Sequence, residues 1–389
     1  MQRVAAIDEI FGDEEKHYYD DFKNPDDLAQ CMIDADIIYV HSMYRAEEII
    51  DNYRLFGYKI ITDLHGVVPE EEDYAGNPGR SQYLASVEAE VFKHCTRFVA
   101  VTEAMADYYK LKYKLSRRVL WIVLPIFEVE DYVDENKRLY NSIVYAGGAQ
   151  RWQNVDLMVD AINRSDTGYT FNIFSHSEEA FKAIEASKSS KVRLRSAPAH
   201  QVMQSYKKSD MGFVLRDDIV LNRVACPTKL IEYLSHGVVP IVLSPKIGDF
   251  EKLGYQYVTL EEFLAGGITE NRLKDAMRAN YKVYARLKKQ TQVGIARLID
   301  IATKTRSQKK ELPSSDLLLK LYISDNNKLS SKSTKIAYLE YQVETQVRMI
   351  EEYADAARYY KDELTGLRKS LKYPIKTYEF LKSRRHKLQ

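Results

Sequence analysis

The stretch Cys226–Ile241, CPTKLIEYLSHGVVPI, gathers residue types suited to holding an anion. Pro227 fits the first turn of a helix, where its missing N–H is no loss. Thr228 and Lys229 then sit beside backbone N–H groups that lack an intrahelical partner. Such a helix start attracts phosphate through those groups and its dipole, and Lys229 adds a full charge. Glu232 lies one turn in, where a carboxylate can accept both hydrogen bonds of a ribose diol. Gly237 ends the helix ahead of the apolar run Val238–Leu243. An ordinary helix start with a surface lysine and glutamate has the same spacing.

A second stretch, Tyr145–Val155, reads YAGGAQRWQNV. A strand ends in Gly147 and Gly148, which let a backbone approach a ligand closely, and Arg151 can clamp a diphosphate. The pattern is neither GxGxxG nor a Walker loop, and alone it also suits a structural turn. Asp217–Asp218 has the chemistry of a metal-binding carboxylate pair, without a third ligand nearby in sequence. His41 follows an apolar run and suits either a cleft or a core position.

These residues need elements to place them. Between Val4 and Leu124, short apolar runs alternate with helical patterns. The expected strands are Val4–Ile10, Asp36–His41, Lys59–Asp63, Arg97–Thr102 and Val119–Leu124, with helices such as Ala46–Leu55 and Ser81–His94 between them. A second alternation predicts strands Ser142–Tyr145, Thr170–Phe174, Lys191–Leu194, Gly212–Leu215 and Val238–Leu243. Its helices are Val155–Asn163, Glu178–Ala186, His200–Lys207 and Lys229–His236, closed by the long amphipathic stretch Arg272–Thr303. Alternation of this kind implies parallel sheets covered on both faces, with ligand at the strands' carboxyl ends.

The whole-chain numbers set limits. The 389 residues suffice for two domains, and 45% hydrophobic with 29% charged residues is a globular balance. Lys+Arg 57 against Asp+Glu 56 gives a net charge of +1, so no global field recruits nucleic acid. Cys31, Cys95 and Cys226 make neither a disulfide framework nor a zinc cluster, which suits a reducing compartment. The acidic N-terminus does not look like a signal peptide, and Leu120–Phe127 is too short to span a bilayer.

Residues 306–332 read as a polar linker. A heptad then runs through Ile336, Val343, Ile350, Ala357, Leu364 and Leu371, interleaved with Leu339, Gln346, Tyr353, Tyr360 and Leu367. It predicts a coiled coil over 333–372 that joins chains through 336–371, or an amphipathic helix folded back on its own protein. Pro374 stops it, and the tail 373–389 mixes aromatic and basic residues suited to an anionic membrane surface.

GGAQRWQNVDLMVDAI, SYKKSDMGFVLRDD and PTKLIEYLSHGVVPIV, in that order, resemble the retaining glycosyltransferases of family 4. In the first half, SVEAEVFKHCTRFVAVTEAM resembles the family's helix–strand–helix, and DLHG at Asp63–Gly66 its histidine-bearing loop. The likeness covers roughly 36–303. It implies an α/β fold of two Rossmann-like domains (GT-B) facing a cleft, at 1–139 on the acceptor side and 140–305 on the donor side. It also implies a nucleotide diphospho-sugar donor, a glycan or lipid-linked acceptor, and work on a bacterial surface polysaccharide at the cytoplasmic face of the membrane. No cofactor, metal or nucleic acid is implied.

By the resemblance, Glu232 holds the ribose hydroxyls, Thr228 and Lys229 the diphosphate, and Gly147 and Gly148 give the phosphates room. His65 lies near the transferred sugar. Lys229, Arg151 and His65 form the catalytic set, and Arg216 joins the donor-binding residues. The chain also departs from the family. Arg151 is the only cation in the glycine loop, the earlier of two family glutamates falls at Val224, and the first half looks one strand–helix unit short. An inactive, scaffold-like relative is therefore the alternative, and a two-domain epimerase a remoter one.

Overall fold

The computed structural model describes residues 2–308, except 13, 23–24, 116–117, 126–131, 133, 135, 137–138, 166–167, 179–181, 183 and 185–190. Residues 1–331 group as one compact unit and Lys332–Gln389 as a second. The coiled coil and the basic tail lie outside the described residues, as does most of the expected helix Glu178–Ala186.

Two parallel sheets organise the first unit. One holds β1 (Ile38–Val40), β2 (Ile60–Leu64), β3 (Arg97–Ala100) and β4 (Leu120–Val123), in that order. The other holds β5 (Ser142–Ala146), β6 (Thr170–Phe174), β7 (Val192–Arg195), β8 (Met211–Val214), β9 (Val239–Val242) and β10 (Val258–Thr259). Its spatial order is β10-β9-β8-β5-β6-β7. Counted from the far edge, its strands run third, second, first, fourth, fifth, sixth, the order of the doubly wound nucleotide-binding sheet. The direction of winding reverses between β5 and β8, which pair through Ile143 with Met211 and Val144 with Gly212.

Burial explains the apolar runs. All five residues of β2 and all four of β8 and β9 are buried, as parallel strands covered on both faces must be. Helices Val155–Arg164 and Glu270–Gln308 supply Met158, Ile162, Leu273 and Met277 to one face of the six-stranded sheet. Helix Thr228–Ser235 brings Leu230, Tyr233 and Leu234 to the other.

Three expectations change. Val4–Ile10 is not a strand but part of the helix Gln2–Ile10. Ile7, Ile10 and Phe11 recur at helical spacing, and Ile7 is buried beside Ile61, Val99, Ile122 and Leu298. Ala46–Leu55 breaks into Met43–Glu48, a 3-10 turn Ile50–Asn52 and Tyr53–Phe56. The closing helix also runs past its expected end, to Gln308, into the stretch read as linker. Its later turns cross to the first sheet, where Leu298 is wholly buried and a Cβ at Gly294 would stand 2.4 Å from Leu124 Cδ2.

Candidate active site

The carboxyl ends of the two sheets meet. The Thr102 hydroxyl, just after β3, donates to the Val224 carbonyl at 2.6 Å and accepts from Met105 N–H. Asp249 takes the free N–H groups of Glu103 and Ala104 at 2.6 and 2.9 Å, so a residue beside the second sheet caps a helix of the first. Val224 is buried in this junction.

At the reversal point the chain concentrates positive charge. Lys229 is buried on the first turn of Thr228–Ser235, its ammonium 3.9 Å from the centre of the Tyr145 ring and donating to Gln153 Oε1 at 3.1 Å. Burial pushes the Lys229 ammonium well below its ordinary pKa, and the nearby Arg216 charge pushes it further, against a weaker pull from Glu232. Arg216, two residues beyond β8, donates from Nη1 to Asn222 Oδ1 at 3.0 Å, while its buried Nε has no partner. Burial brings it down to about 10. Among the described residues neither cation has a carboxylate within ion-pair distance. Both hydrogen-bond partners are neutral amides, so neither charge is met by an ion pair.

The glycines border these cations. A Cβ on Gly147 would stand 3.1 Å from Lys229 Nζ and 3.0 Å from Tyr145 Oη. The Gly148 carbonyl accepts from that same tyrosine hydroxyl at 2.7 Å. Glu232 is half-buried and accepts from Tyr206 Oη at 3.1 Å through Oε2. Its carboxyl is raised by burial, with Tyr206 and Lys229 opposing. Thr228 is exposed at the helix start.

Two expected residues stand apart from this group. Arg151 is exposed and reaches the first half of the chain, lying 4.7 Å over the Tyr74 ring and donating to the Tyr74 carbonyl at 3.0 Å. His65 follows β2, with Nε2 3.0 Å from Asp63 Oδ2. Burial alone would raise the Asp63 carboxyl. The Arg3 charge and the hydrogen bonds from His65 and Arg3 outweigh it and hold the group well below the usual carboxylate range.

Glu71, missed from sequence, links the two groups. It lies on the helix Val68–Tyr74, against Gly66, and interacts electrostatically with both His65 and Arg216. A glutamate within a run of three gives no signal of such a place.

His41, Asp63 and His65 offer atoms within 4.8 Å of one another, the one such group among the described residues. Arg3, Tyr39 and His65 already crowd the Asp63 carboxylate, so the cluster is a hydrogen-bond network rather than an open set of cation ligands. Asp217 accepts from Asn154, and Asp218 is paired with Arg223 and Lys246, so the two aspartates serve separate contacts. A recess of about 420 Å³ on the face of β5–β7 is lined by Arg193, Arg195 and Lys208 and includes none of the site residues.

No protein family and no curated protein matches the chain. Solved structures do. A crystal structure of TarM is 13% identical at a TM-score of 0.46, covering 78% of this chain and 58% of that one. Anabaena HepE in complex with UDP and glucose is 10% identical at 0.43, covering 78% and 81%. An alpha-glucosyltransferase in complex with UDP and a 13-mer DNA is 14% identical at 0.46, covering 72% and 83%. The chain spans about half the length of the TarM chains, 50% of the S. aureus G117R mutant bound to UDP. Identities of 10–14% with TM-scores below 0.5 assign neither family nor activity.

Proposed function

We propose that this chain is a retaining glycosyltransferase of two Rossmann-like domains that moves a sugar from a nucleotide diphospho-sugar to a glycan or lipid-linked acceptor. One observation carries the reading. Buried Lys229 and half-buried Arg216, neither with an ionic partner among the described residues, stand where the six-stranded sheet reverses its winding, beside a glycine and a helix start. Open α/β sheets bind ligands at that point, and two such cations there call for a multiply charged anion.

In the reaction, the bond between the anomeric carbon and the diphosphate oxygen breaks, and its electron pair stays on the diphosphate. The acceptor hydroxyl bonds to the anomeric carbon and passes its proton to the departing diphosphate oxygen. Lys229, Arg216 and the N–H groups of the helix start stabilise the charge that grows on the leaving group. Glu232 holds the ribose through the oxygen that Tyr206 leaves open, and His65 contacts the sugar from the first domain. The reaction needs no metal, and turnover survives excess chelator.

A thermal-shift screen of nucleoside diphosphates and their sugars tests the reading. A ligand at a hundred times its Kd adds about 2.7 kcal/mol. Absence of any shift, together with absence of donor hydrolysis, overturns the assignment.

A further inference from the structure

The contacts of Asp63 decide which edge of His65 is left for a ligand. We propose that Asp63 is a positioning residue that holds neutral His65 as its Nε2–H tautomer, so that Nδ1 accepts a hydrogen bond from a hydroxyl of the transferred sugar. This rests on His65 facing that sugar, as proposed above.

Asp63 Oδ2 receives Arg3 Nε and Tyr39 Oη at 2.8 Å each and lies 3.0 Å from His65 Nε2. Oδ1 receives Arg3 Nη2 at 2.8 Å. Arg3 is anchored in turn on the Leu124 carbonyl. With a guanidinium across both oxygens, the carboxylate is ionised. An ionised oxygen at 3.0 Å from Nε2 repels a lone pair on that nitrogen, so Nε2 carries the proton. A neutral ring has one N–H, which leaves Nδ1 bare.

Exposure points the same way. The Asp63 side chain is 0% exposed and that of His65 34%, so a ligand can reach the His65 ring but not the Asp63 carboxylate. The other titratable or charged groups around the ring are His41 after β1 and Glu71 on the helix Val68–Tyr74, with Arg3 and Tyr39 behind Asp63. Burial lowers the pKa of His41, against the pull of Asp63. An acceptor fixed in this way selects a donor sugar that carries a hydroxyl opposite Nδ1. A deoxy analogue leaves the nitrogen unpaired.

Long-range proton–nitrogen correlation spectra of histidine-labelled protein read the tautomer without any donor, with His65→Gln identifying the signal. In its neutral form the ring of the native protein is expected to show Nε2–H and a bare Nδ1, and that of Asp63→Asn a mixture. Where Asp63→Asn alone does not fold, Arg3→Gln/Asp63→Asn removes both buried charges together. A native Nδ1–H tautomer, or a tautomer unchanged in a folded Asp63 variant, overturns the proposal.

In kinetics, Asp63→Asn lowers kcat/KM about tenfold and adds nothing on top of His65→Gln. One deoxy donor is discriminated against by the native enzyme and not by His65→Gln. Equal discrimination in both overturns the sugar contact. Absence of all turnover overturns the transferase reading and the sugar contact with it, while the spectra still decide the tautomer.

Discussion

The ammonium of Lys229 stands 3.9 Å from the centre of the Tyr145 ring, a residue of the central strand β5. The ring's negative face is what offsets the charge when no carboxylate is close. A cation held this way is costly to the fold and available to a ligand. Lys229→Met should therefore stabilise the ligand-free protein while lowering transfer about 30- to 1000-fold, the equivalent of about 2–4 kcal/mol. Glu232→Ala should lower transfer by a similar factor without unfolding. Melting curves and initial rates check both; near-native turnover in either variant removes it from the site.

Binding should be linked to protons. Burial depresses the Lys229 ammonium, and a bound diphosphate favours its charged form and raises its pKa again. Between the depressed and ordinary values, nucleoside diphosphate binding takes up protons, so affinity falls as pH rises through that window. Titration calorimetry in buffers of different ionisation enthalpy measures the uptake. Uptake of zero across the alkaline range contradicts the assignment of Lys229 to the anion.

Gly147→Ala places a methyl group 3.1 Å from Lys229 Nζ. The variant should fold, because the ammonium and the Tyr145 hydroxyl, 3.0 Å away, need give only a few tenths of an ångström, and should bind nucleoside diphosphate about tenfold more weakly, or about 1.4 kcal/mol. Equal affinity would mean that the diphosphate passes elsewhere.

Asp249→Ala removes the acceptor of the Glu103 and Ala104 N–H groups at the start of the helix Glu103–Lys112, while the Thr102 cap on Met105 stays. The expected loss is about 1–2 kcal/mol of stability, read as a lower melting temperature with donor binding retained at low temperature.

Residues 331–389 carry the heptad and the basic tail. Deleting them should give a smaller particle in light scattering and abolish flotation with acidic liposomes, each basic residue near the surface adding about 1 kcal/mol. Identical mass and flotation in both proteins would refute the two proposals together.

Much of the strand framework was legible because buried parallel strands are short, continuous apolar runs: Thr170–Phe174 was read with its observed ends and β5, β7, β8 and β9 to within a residue, whereas β10, only Val258–Thr259, is too short to show a run and was missed. Val4–Ile10 failed because Val4, Ile7 and Ile10 satisfy helix spacing within a run too short to separate the two periods. Lys229, Glu232 and the two glycines share local motifs and could be found. The ion pair of Arg3 with Asp63, and the electrostatic reach of Glu71 to Arg216, are long-range relationships with no local pattern. Arg151 looked like part of the glycine loop's chemistry, but its reach to Tyr74 depends on how the two halves pack, which spacing along the chain does not encode.

The crossing of the closing helix also bears on synthesis. Leu298 is wholly buried among Ile7, Ile61, Val99 and Ile122, so the core of the first sheet is finished by a residue near the end of the second half. While the ribosome is still making the second sheet, that apolar floor stays open to water. A fragment cut at residue 139 should therefore remain a client of chaperones, and its complement, released in trans, should bring it out of aggregation.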